Sequence, residues 1–112
     1  MIDQVHPTDL DAWLAAQGGH GVLLDVREPQ ELRAASITPP QGFDLLAIPM
    51  NEIPARLAEL DADRPVACLC HHGARSQRVA MFLAHNGFGH VANIAGGIDA
   101  WSLQRDPGVP RY

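Results

Sequence analysis

The sequence predicts a three-layer α/β domain in which helices cover both faces of a mainly parallel central sheet. Apolar runs such as Val22 to Leu24 and Val66 to Cys70 have the continuous hydrophobic character of strands that are buried on both faces. Segments with helical spacing of apolar residues separate these runs, and strands that alternate with helices form parallel sheets. The length of 112 residues fits one domain over residues 1–112, because no repeat or linker divides the chain.

The first half of the chain begins with an edge strand and a helix. The strand is predicted at Ile2 to Val5, and the helix starts at Pro7, because proline fits the first helical position. Gly18-Gly19 ends this helix. The next predicted elements are the strand Val22 to Leu24, a helix from Gln30 to Ala35, an irregular segment from Ser36 to Phe43 and a strand from Asp44 to Ile48.

The second half of the chain continues the alternation of helix and strand. Its predicted elements are a helix from Pro54 to Leu60, the central strand from Val66 to Cys70, a helix from Arg75 to Asn86, a strand from Val91 to Ile94 and a helix from Ile98 to Leu103. Val79, Phe82 and Leu83 give the helix after Cys70 one apolar face, and Gly87 caps its carboxyl end.

Three loops are expected to meet at one edge of this sheet. They follow predicted strands directly and comprise Asp25-Val26-Arg27, Cys70 to Ser76, and Ala95-Gly96-Gly97. Parallel sheets bind their ligands beyond the carboxyl ends of the strands. A site is therefore predicted at this edge, with Cys70 at its centre and Asp25 and Arg27 as supporting residues.

Cys70 is the candidate nucleophile of the site. It stands at a strand end, before a loop that contains a glycine and runs into a helix. The backbone N–H groups of such a loop, the positive end of the helix dipole and Arg75 all favour the thiolate, which is the reactive form of cysteine. The alternative is a buried structural cysteine, a common environment for a free thiol.

The other loop residues are candidates for binding an anion. Gly73 and Ala74 contribute backbone N–H groups, and Arg75 at the helix start can hold an anion through two parallel N–H bonds or form a salt bridge that pins the loop. Ser76 can donate a hydrogen bond to the anion or cap the helix.

Two consecutive histidines, His71 and His72, follow the cysteine. One can carry a proton or a positive charge, whereas simple exposure to solvent is the alternative for both. Because consecutive loop residues point in different directions, at most one is expected to face a ligand.

Cys68 is expected to belong to the core, on the same sheet face as Cys70. A role as a resolving thiol would need a strained bridge between residues only two apart. A metal site is disfavoured because the four neighbouring Cys and His residues are more crowded than typical zinc ligands. The two cysteines do not form a disulfide framework, so reduced thiols are expected.

Charge and composition exclude several classes of partner. The net charge is −5, and the basic residues are scattered arginines without a lysine, which argues against a nucleic-acid surface. Apolar residues make up 46% of the chain, yet no apolar run reaches the length of a membrane span. The amino terminus shows no secretory signal, so a cytoplasmic location is expected.

The chain resembles the rhodanese domain of the single-domain sulfurtransferase type. The residues that carry the resemblance are Leu23-Leu24-Asp25-Val26-Arg27-Glu28-Pro29, Cys70-His71-His72-Gly73-Ala74-Arg75-Ser76 and Gly96-Gly97-Ile98-Asp99-Ala100-Trp101. Each motif alone is weak, but together they span most of the chain in the order of the family and follow three predicted strands.

The resemblance implies sulfur transfer through a Cys70 persulfide. The donor would be thiosulfate or a similar small sulfur-containing anion, and the acceptor cyanide, a cellular thiol or a sulfur-acceptor protein, in a ping-pong cycle. No metal or organic cofactor is required. Phosphatases and arsenate reductases of this fold resemble it but have a loop one residue longer, whereas here four residues separate Cys70 from Arg75.

Two further points limit what the resemblance implies. Many relatives carry a Gly-His-Ile-Pro-Gly segment where this chain has Ser36 to Phe43, so the rim of the site is expected to differ. A non-catalytic sulfur-carrier or sensor module would need the same cysteine loop as an enzyme. Both that module and a small phosphatase or arsenate reductase therefore stay as alternatives.

Overall fold

The apolar runs of the sequence form the strands, and the amphipathic segments form the helices, in a computed structural model that describes residues 2–112. The strands are β1 (Ile2–Val5), β2 (Gly21–Asp25), β3 (Phe43–Ala47), β4 (Val66–Leu69) and β5 (Val91–Ile94). The helices are α1 (Leu10–Ala16), α2 (Pro29–Ala34), α3 (Ala74–His85) and α4 (Gly97–Gln104). Within residues 2–112 no helix combines the length and apolar character needed to cross a bilayer. Met1, the first residue of the predicted domain, lies outside the described residues.

All five strands belong to one parallel sheet in the order β1-β5-β4-β2-β3, which confirms the predicted fold class. The strands β2, β4 and β5 occupy the middle, and every residue of these strands is buried, as their continuous apolar sequences predict. The strand β1 lies at one edge of the sheet, as expected, and β3 lies at the other. The carboxyl ends of β2, β4 and β5 therefore lie side by side.

The core consists of two apolar clusters whose strand residues alternate between the two faces of the sheet. Leu23 belongs to the cluster that contains Trp13 of α1 and Trp101 of α4. Its neighbour Leu24 belongs to the cluster that contains Leu83 of α3. Because successive residues of a strand point to opposite faces, the helices lie on both sides of the sheet and make three layers.

The segment between β3 and β4 differs from its predicted helix. The helix expected from Pro54 to Leu60 forms instead as 3-10 turns over Pro54–Glu59, preceded by a separate turn at Met50–Glu52. The backbone at Arg56 leaves the helical region, with φ −112° and ψ 15°. Because Pro54 has no N–H group and the apolar spacing covers little more than one turn, the segment lacks what would sustain an α-helix.

Candidate active site

The strand β4 brings Cys70 to the edge of the sheet where the predicted loops meet. Leu69, the last residue of β4, accepts a hydrogen bond from the N–H of Val26 beyond β2, with a distance of 2.9 Å. Cys70 follows directly and is only 1% exposed, and α3 begins at Ala74. The cysteine thus lies in a short turn between the most buried strand and the amino end of the longest helix.

Two hydrogen-bond donors lie on the sulfur of Cys70. The backbone N–H of Gly73 donates to Sγ over 3.0 Å, and the hydroxyl oxygen of Ser76 lies 3.2 Å from the same atom. Gly73 has a φ of 106°, in the left-handed region that favours glycine, and this conformation allows its N–H to turn back toward the sulfur. Of the loop N–H groups predicted to turn toward the sulfur, the structure has that of Gly73 as a donor, and the second donor is the side chain of Ser76.

The amino end of α4 supports the cysteine loop from behind. The N–H groups of Ile98 and Asp99 donate to the carbonyl oxygens of Cys70 and His71, with distances of 2.8 and 3.1 Å. A Cβ atom on Gly97 would clash with both of these carbonyls, and Gly97 has a φ of 61°. The glycine pair at the start of α4 therefore allows a helix end to dock against the loop.

Arg75 forms a bidentate ion pair with Glu31 of α2. The two guanidinium nitrogens lie 2.6 and 2.8 Å from the two carboxylate oxygens. The hydrogen bonds from Arg75 lower the pKa of Glu31 to about 2, and the same ion pair raises the pKa of Arg75. Of the two roles considered for Arg75, the structure thus contains the salt bridge, and its guanidinium also acts on Cys70 as a nearby positive charge.

Asp25 and Arg27 form a second ion pair, which is almost completely buried. The Nε and Nη2 atoms of Arg27 lie 2.9 and 2.7 Å from the Asp25 carboxylate, which also accepts the backbone N–H of Arg27 over 3.2 Å. The remaining guanidinium nitrogen donates to the backbone carbonyl of Glu31 and to the hydroxyl of Tyr112. These two supporting residues thus fix α2 and the carboxyl-terminal segment at the sheet edge, and their hydrogen bonds do not go to the sulfur.

The carboxyl-terminal Tyr112 packs on the cysteine loop. Its ring stacks on His71 with centroids 3.9 Å apart, and His71 stacks in turn on His72 at the same distance. Its hydroxyl donates to the Glu31 carboxylate over 2.7 Å. Burial is the main cause that raises the pKa of Tyr112. His71 is half-buried and His72 is exposed, so the two histidines occupy different environments, as expected for consecutive loop residues.

Cys68 lies in the core on the same side of the sheet as Cys70. Both cysteines are free thiols of the cluster that packs under α3. Complete burial raises the pKa of the Cys68 thiol, which keeps it in the unreactive form. In the described part of the chain, His, Cys, Asp and Glu side chains do not gather in a group of three that could hold a metal ion.

A cleft of about 270 Å³ opens beside the cysteine loop. It is lined by Val26, Glu28, Met50, Asn51 and Arg75. Asn51 and Met50 come from the 3-10 turn that precedes the segment predicted as a helix. The cleft meets the cysteine loop at Arg75, and Cys70 itself is not among the residues that line it.

Three residues around the loop were not among the predicted site residues. Glu31 and Tyr112 are distant in sequence from the cysteine, and nothing in their local patterns indicates the contact. Asn93 is different, because a polar amide in the apolar run Val91–Ile94 is a signal that it needs a buried partner. Its partners prove to be loop residues, since it contacts both Ser76 and Gly73.

Fold and loop together define an α/β domain that holds a cysteine before the start of a helix, with the Gly73 N–H and the Ser76 hydroxyl on its sulfur. The chain belongs to the family of the rhodanese-like domain, whose model matches residues 6–104. The family predicted from the three motifs is thereby confirmed.

Individual relatives agree with this assignment. A sulfurtransferase of Allochromatium vinosum is 40% identical over 102 residues, which cover 91% of this chain and 90% of that protein. A rhodanese-related protein from Thermoplasma volcanium is 30% identical, with a TM-score of 0.74 over 98% of this chain and 99% of its own. The polysulfide-sulfur transferase homodimer of Wolinella succinogenes is 26% identical, with a TM-score of 0.71 over 99% of this chain and 78% of its own. Family and relatives support a sulfurtransferase activity for the chain.

Proposed function

We propose that this domain transfers sulfane sulfur from thiosulfate or a similar small anion to a thiophilic acceptor through a persulfide on Cys70. The observation that carries the proposal is the pair of donors on Sγ, the Gly73 N–H and the Ser76 hydroxyl, at the amino end of α3. Hydrogen bonds and the helix dipole both favour negative charge at this position. These donors therefore suit the Cys70 thiolate that begins the transfer.

The proposed loading step is a displacement on sulfur. The Cys70 thiolate attacks the outer sulfur of thiosulfate, a new sulfur–sulfur bond forms, and the old one breaks. Sulfite leaves with the bonding electron pair, and the negative charge of the thiolate passes to the outer sulfur of the persulfide. An acceptor such as cyanide or a thiolate then attacks that outer sulfur and restores the Cys70 thiolate, so atoms and charges balance over the cycle.

Local electrostatics must attract the anionic donor, because the net charge of the chain is −5. The loop N–H groups supply one part of the local field. Arg75 lines the cleft and supplies another part of this field, although the Glu31 carboxylate partly neutralises its positive charge. The loop N–H groups and Arg75 would stabilise the negative charge that develops on the departing sulfite. Because these donors are already in place before the reaction, they would lower the barrier of the loading step.

The acceptor in the proposal is cyanide or a cellular thiol, and the thiol can belong to a sulfur-acceptor protein. We place this activity in the cytoplasm, where thiols remain reduced and both cysteines stay free.

A phosphatase or arsenate reductase is disfavoured by the four-residue spacing between Cys70 and Arg75. A carrier or sensor module shares the first half of the cycle and differs only in the absence of turnover.

The test is to incubate the purified domain with thiosulfate and measure its intact mass. The proposal predicts a gain of one sulfur atom in the wild type and none in Cys70→Ser. Unchanged mass in the wild type would remove the proposal, and a gain that persists in Cys70→Ser would move the nucleophile elsewhere. Thiocyanate formed when cyanide is added distinguishes an enzyme from a carrier, and hydrolysis of a phosphate ester would support the phosphatase alternative.

A further inference from the structure

Asn93 is a buried amide that joins three groups around the cysteine loop. It lies in β5 and is 4% exposed. Its Nδ2 donates to the carbonyl oxygen of Gly73 over 3.2 Å and to Oε1 of Gln4 over 3.0 Å. Its Oδ1 lies 2.5 Å from the hydroxyl oxygen of Ser76. Asn93 therefore holds both residues that donate to the sulfur of Cys70.

The orientation of this amide is determined by Gly73. A backbone carbonyl can only accept hydrogen bonds, so the nitrogen of Asn93 must face Gly73, and the oxygen must face Ser76. An amide oxygen can only accept as well. The short contact between Asn93 and Ser76 is thus a hydrogen bond in which the serine hydroxyl donates.

Ser76 has one hydroxyl proton and two acceptors that compete for it. The oxygen of Asn93 lies 2.5 Å from its Oγ, and the sulfur of Cys70 lies 3.2 Å away. When Cys70 is a thiol, its S–H donates to Ser76, and Ser76 donates to Asn93, so every group is satisfied. When Cys70 is a thiolate, Ser76 has two arrangements, and each has a cost. It can donate its proton to the sulfur, which leaves the oxygen of Asn93 without a donor. It can instead keep donating to Asn93, and then the lone pairs of its oxygen face the negative charge of the sulfur.

We propose that Asn93 is a positioning residue that competes with the Cys70 thiolate for the Ser76 proton and so restrains the bare thiolate. The consequence for sulfur transfer rests on the proposed function. In a persulfide the negative charge lies on the outer sulfur, so Sγ no longer needs the Ser76 proton, and the Ser76 bond to Asn93 re-forms. Asn93 therefore favours the loaded cysteine over the free thiolate, which limits side reactions of the empty site.

Arg75 of α3, which is paired with Glu31 of α2, acts on Cys70 by charge and not through this hydroxyl. The other titratable groups on the elements around the loop are His71 and His72, the neutral thiol of Cys68 in β4, and the Asp25–Arg27 ion pair after β2. Apart from Cys70, the hydrogen-bond partners of Ser76 and Asn93 within residues 2–112 are uncharged. Removing Asn93 therefore changes the competition for the proton while the charges around the sulfur stay in place.

The test is the pH profile of Cys70 alkylation by iodoacetamide, mapped to the residue by mass spectrometry. Asn93→Leu frees the Ser76 proton for the sulfur, so the profile shifts to lower pH and alkylation at neutral pH rises by up to about tenfold, the range of one hydrogen bond to a charged group. Ser76→Ala removes the donor and shifts the profile to higher pH. Gln4→Leu removes only the third partner of Asn93 and leaves the profile unchanged.

The double variant Ser76→Ala, Asn93→Leu separates competition for the proton from a general loosening of the loop. The proposal predicts the same profile as Ser76→Ala alone, because Asn93 acts through that hydroxyl. A shift of Asn93→Leu to higher pH, or an equal shift with and without Ser76, would overturn it. If Asn93→Leu does not fold, Asn93→Ala is measured, and an unchanged profile for Ser76→Ala overturns the proposal by itself. Alkylation needs no sulfur donor, so failure of sulfur loading is a separate result.

Discussion

The guanidinium of Arg75 lies on the carboxylate of Glu31, with nitrogen–oxygen distances of 2.6 and 2.8 Å, and joins the start of α3 to α2. The loop between Cys70 and Arg75 is thus held at both ends, by the buried strand β4 on one side and by this ion pair on the other. Tyr112 completes the arrangement, because its hydroxyl donates to the same carboxylate. The ion pair therefore belongs both to the stability of the domain and to the shape of the site.

Glu31→Gln is predicted to destabilise the domain at neutral pH and to have little effect in strong acid. The pKa of Glu31 falls from 4.5 to about 2 on folding, so its contribution is fully present above its unfolded pKa and is lost as the pH falls toward 2. The expected loss at pH 7 is about 1 to 3 kcal/mol. Urea unfolding at both pH values measures it, and an equal difference between wild type and variant at pH 7 and pH 2 would contradict the prediction.

Arg75→Ala is predicted to slow sulfur loading from thiosulfate more than it destabilises the domain. Glu31→Gln is the matched control, because it weakens the same ion pair but leaves the guanidinium beside the cleft. We expect loading to fall about tenfold or more in Arg75→Ala, as for loss of one charged hydrogen bond to the anion, and to fall less in Glu31→Gln. The measurements are the single-turnover rate of sulfur loading and the free energy of unfolding of each variant. An equal loss of loading rate in the two variants would make Arg75 purely structural.

Gly97→Ala is predicted to disrupt the cysteine loop. The added Cβ would overlap the carbonyl oxygens of Cys70 and His71, and the φ of 61° strains any side chain. We expect a loss of about 2 to 4 kcal/mol in unfolding free energy. Gly89→Ala is the control, since a Cβ at Gly89 meets no atom within 4 Å. Similar midpoints of thermal unfolding for the two variants would contradict the prediction, because they would show that the cysteine loop can move to accommodate the added Cβ.

Tyr112→Ala is predicted to loosen the loop while the core stays intact. The ring stacks on His71 and the hydroxyl bonds to Glu31, and the substitution removes both contacts. Amide hydrogen exchange in residues 70–76 should become faster, with exchange in the central strands unchanged. Tyr112→Phe keeps the ring and should give a smaller effect. If residues 70–76 of Tyr112→Ala exchange their amide hydrogens at the wild-type rate, Tyr112 does not support the loop.

Most of the fold could be predicted from the sequence, because buried parallel strands and amphipathic helices have distinct apolar patterns. The strand β4 and the helix α3 are clear examples, since each has a strong pattern and ends at a glycine or a loop. The turns over Pro54–Glu59 were less predictable, because one turn of apolar spacing fits both a 3-10 and an α-helical geometry. Only the packing of the finished chain distinguishes them.

The site was predictable only in part. The sulfur, the turn at Gly73 and the start of α3 are neighbours in sequence, so local patterns place them together. The ion pair between Arg75 and Glu31 joins residues that are 44 positions apart, and it depends on how α2 packs beside α3. The contact of Asn93 with Ser76 likewise depends on the order of the strands, although a buried polar residue in β5 indicates that some partner exists.

The most direct measurement uses thiosulfate that carries an isotopic label in its outer sulfur. After a single incubation, the peptide containing both cysteines is fragmented by mass spectrometry, and the released sulfite is collected. Transfer through a Cys70 persulfide predicts one labelled sulfur on Cys70, none on the buried Cys68, and sulfite without label. Label that stays in solution, or that is found on Cys68, would contradict this account.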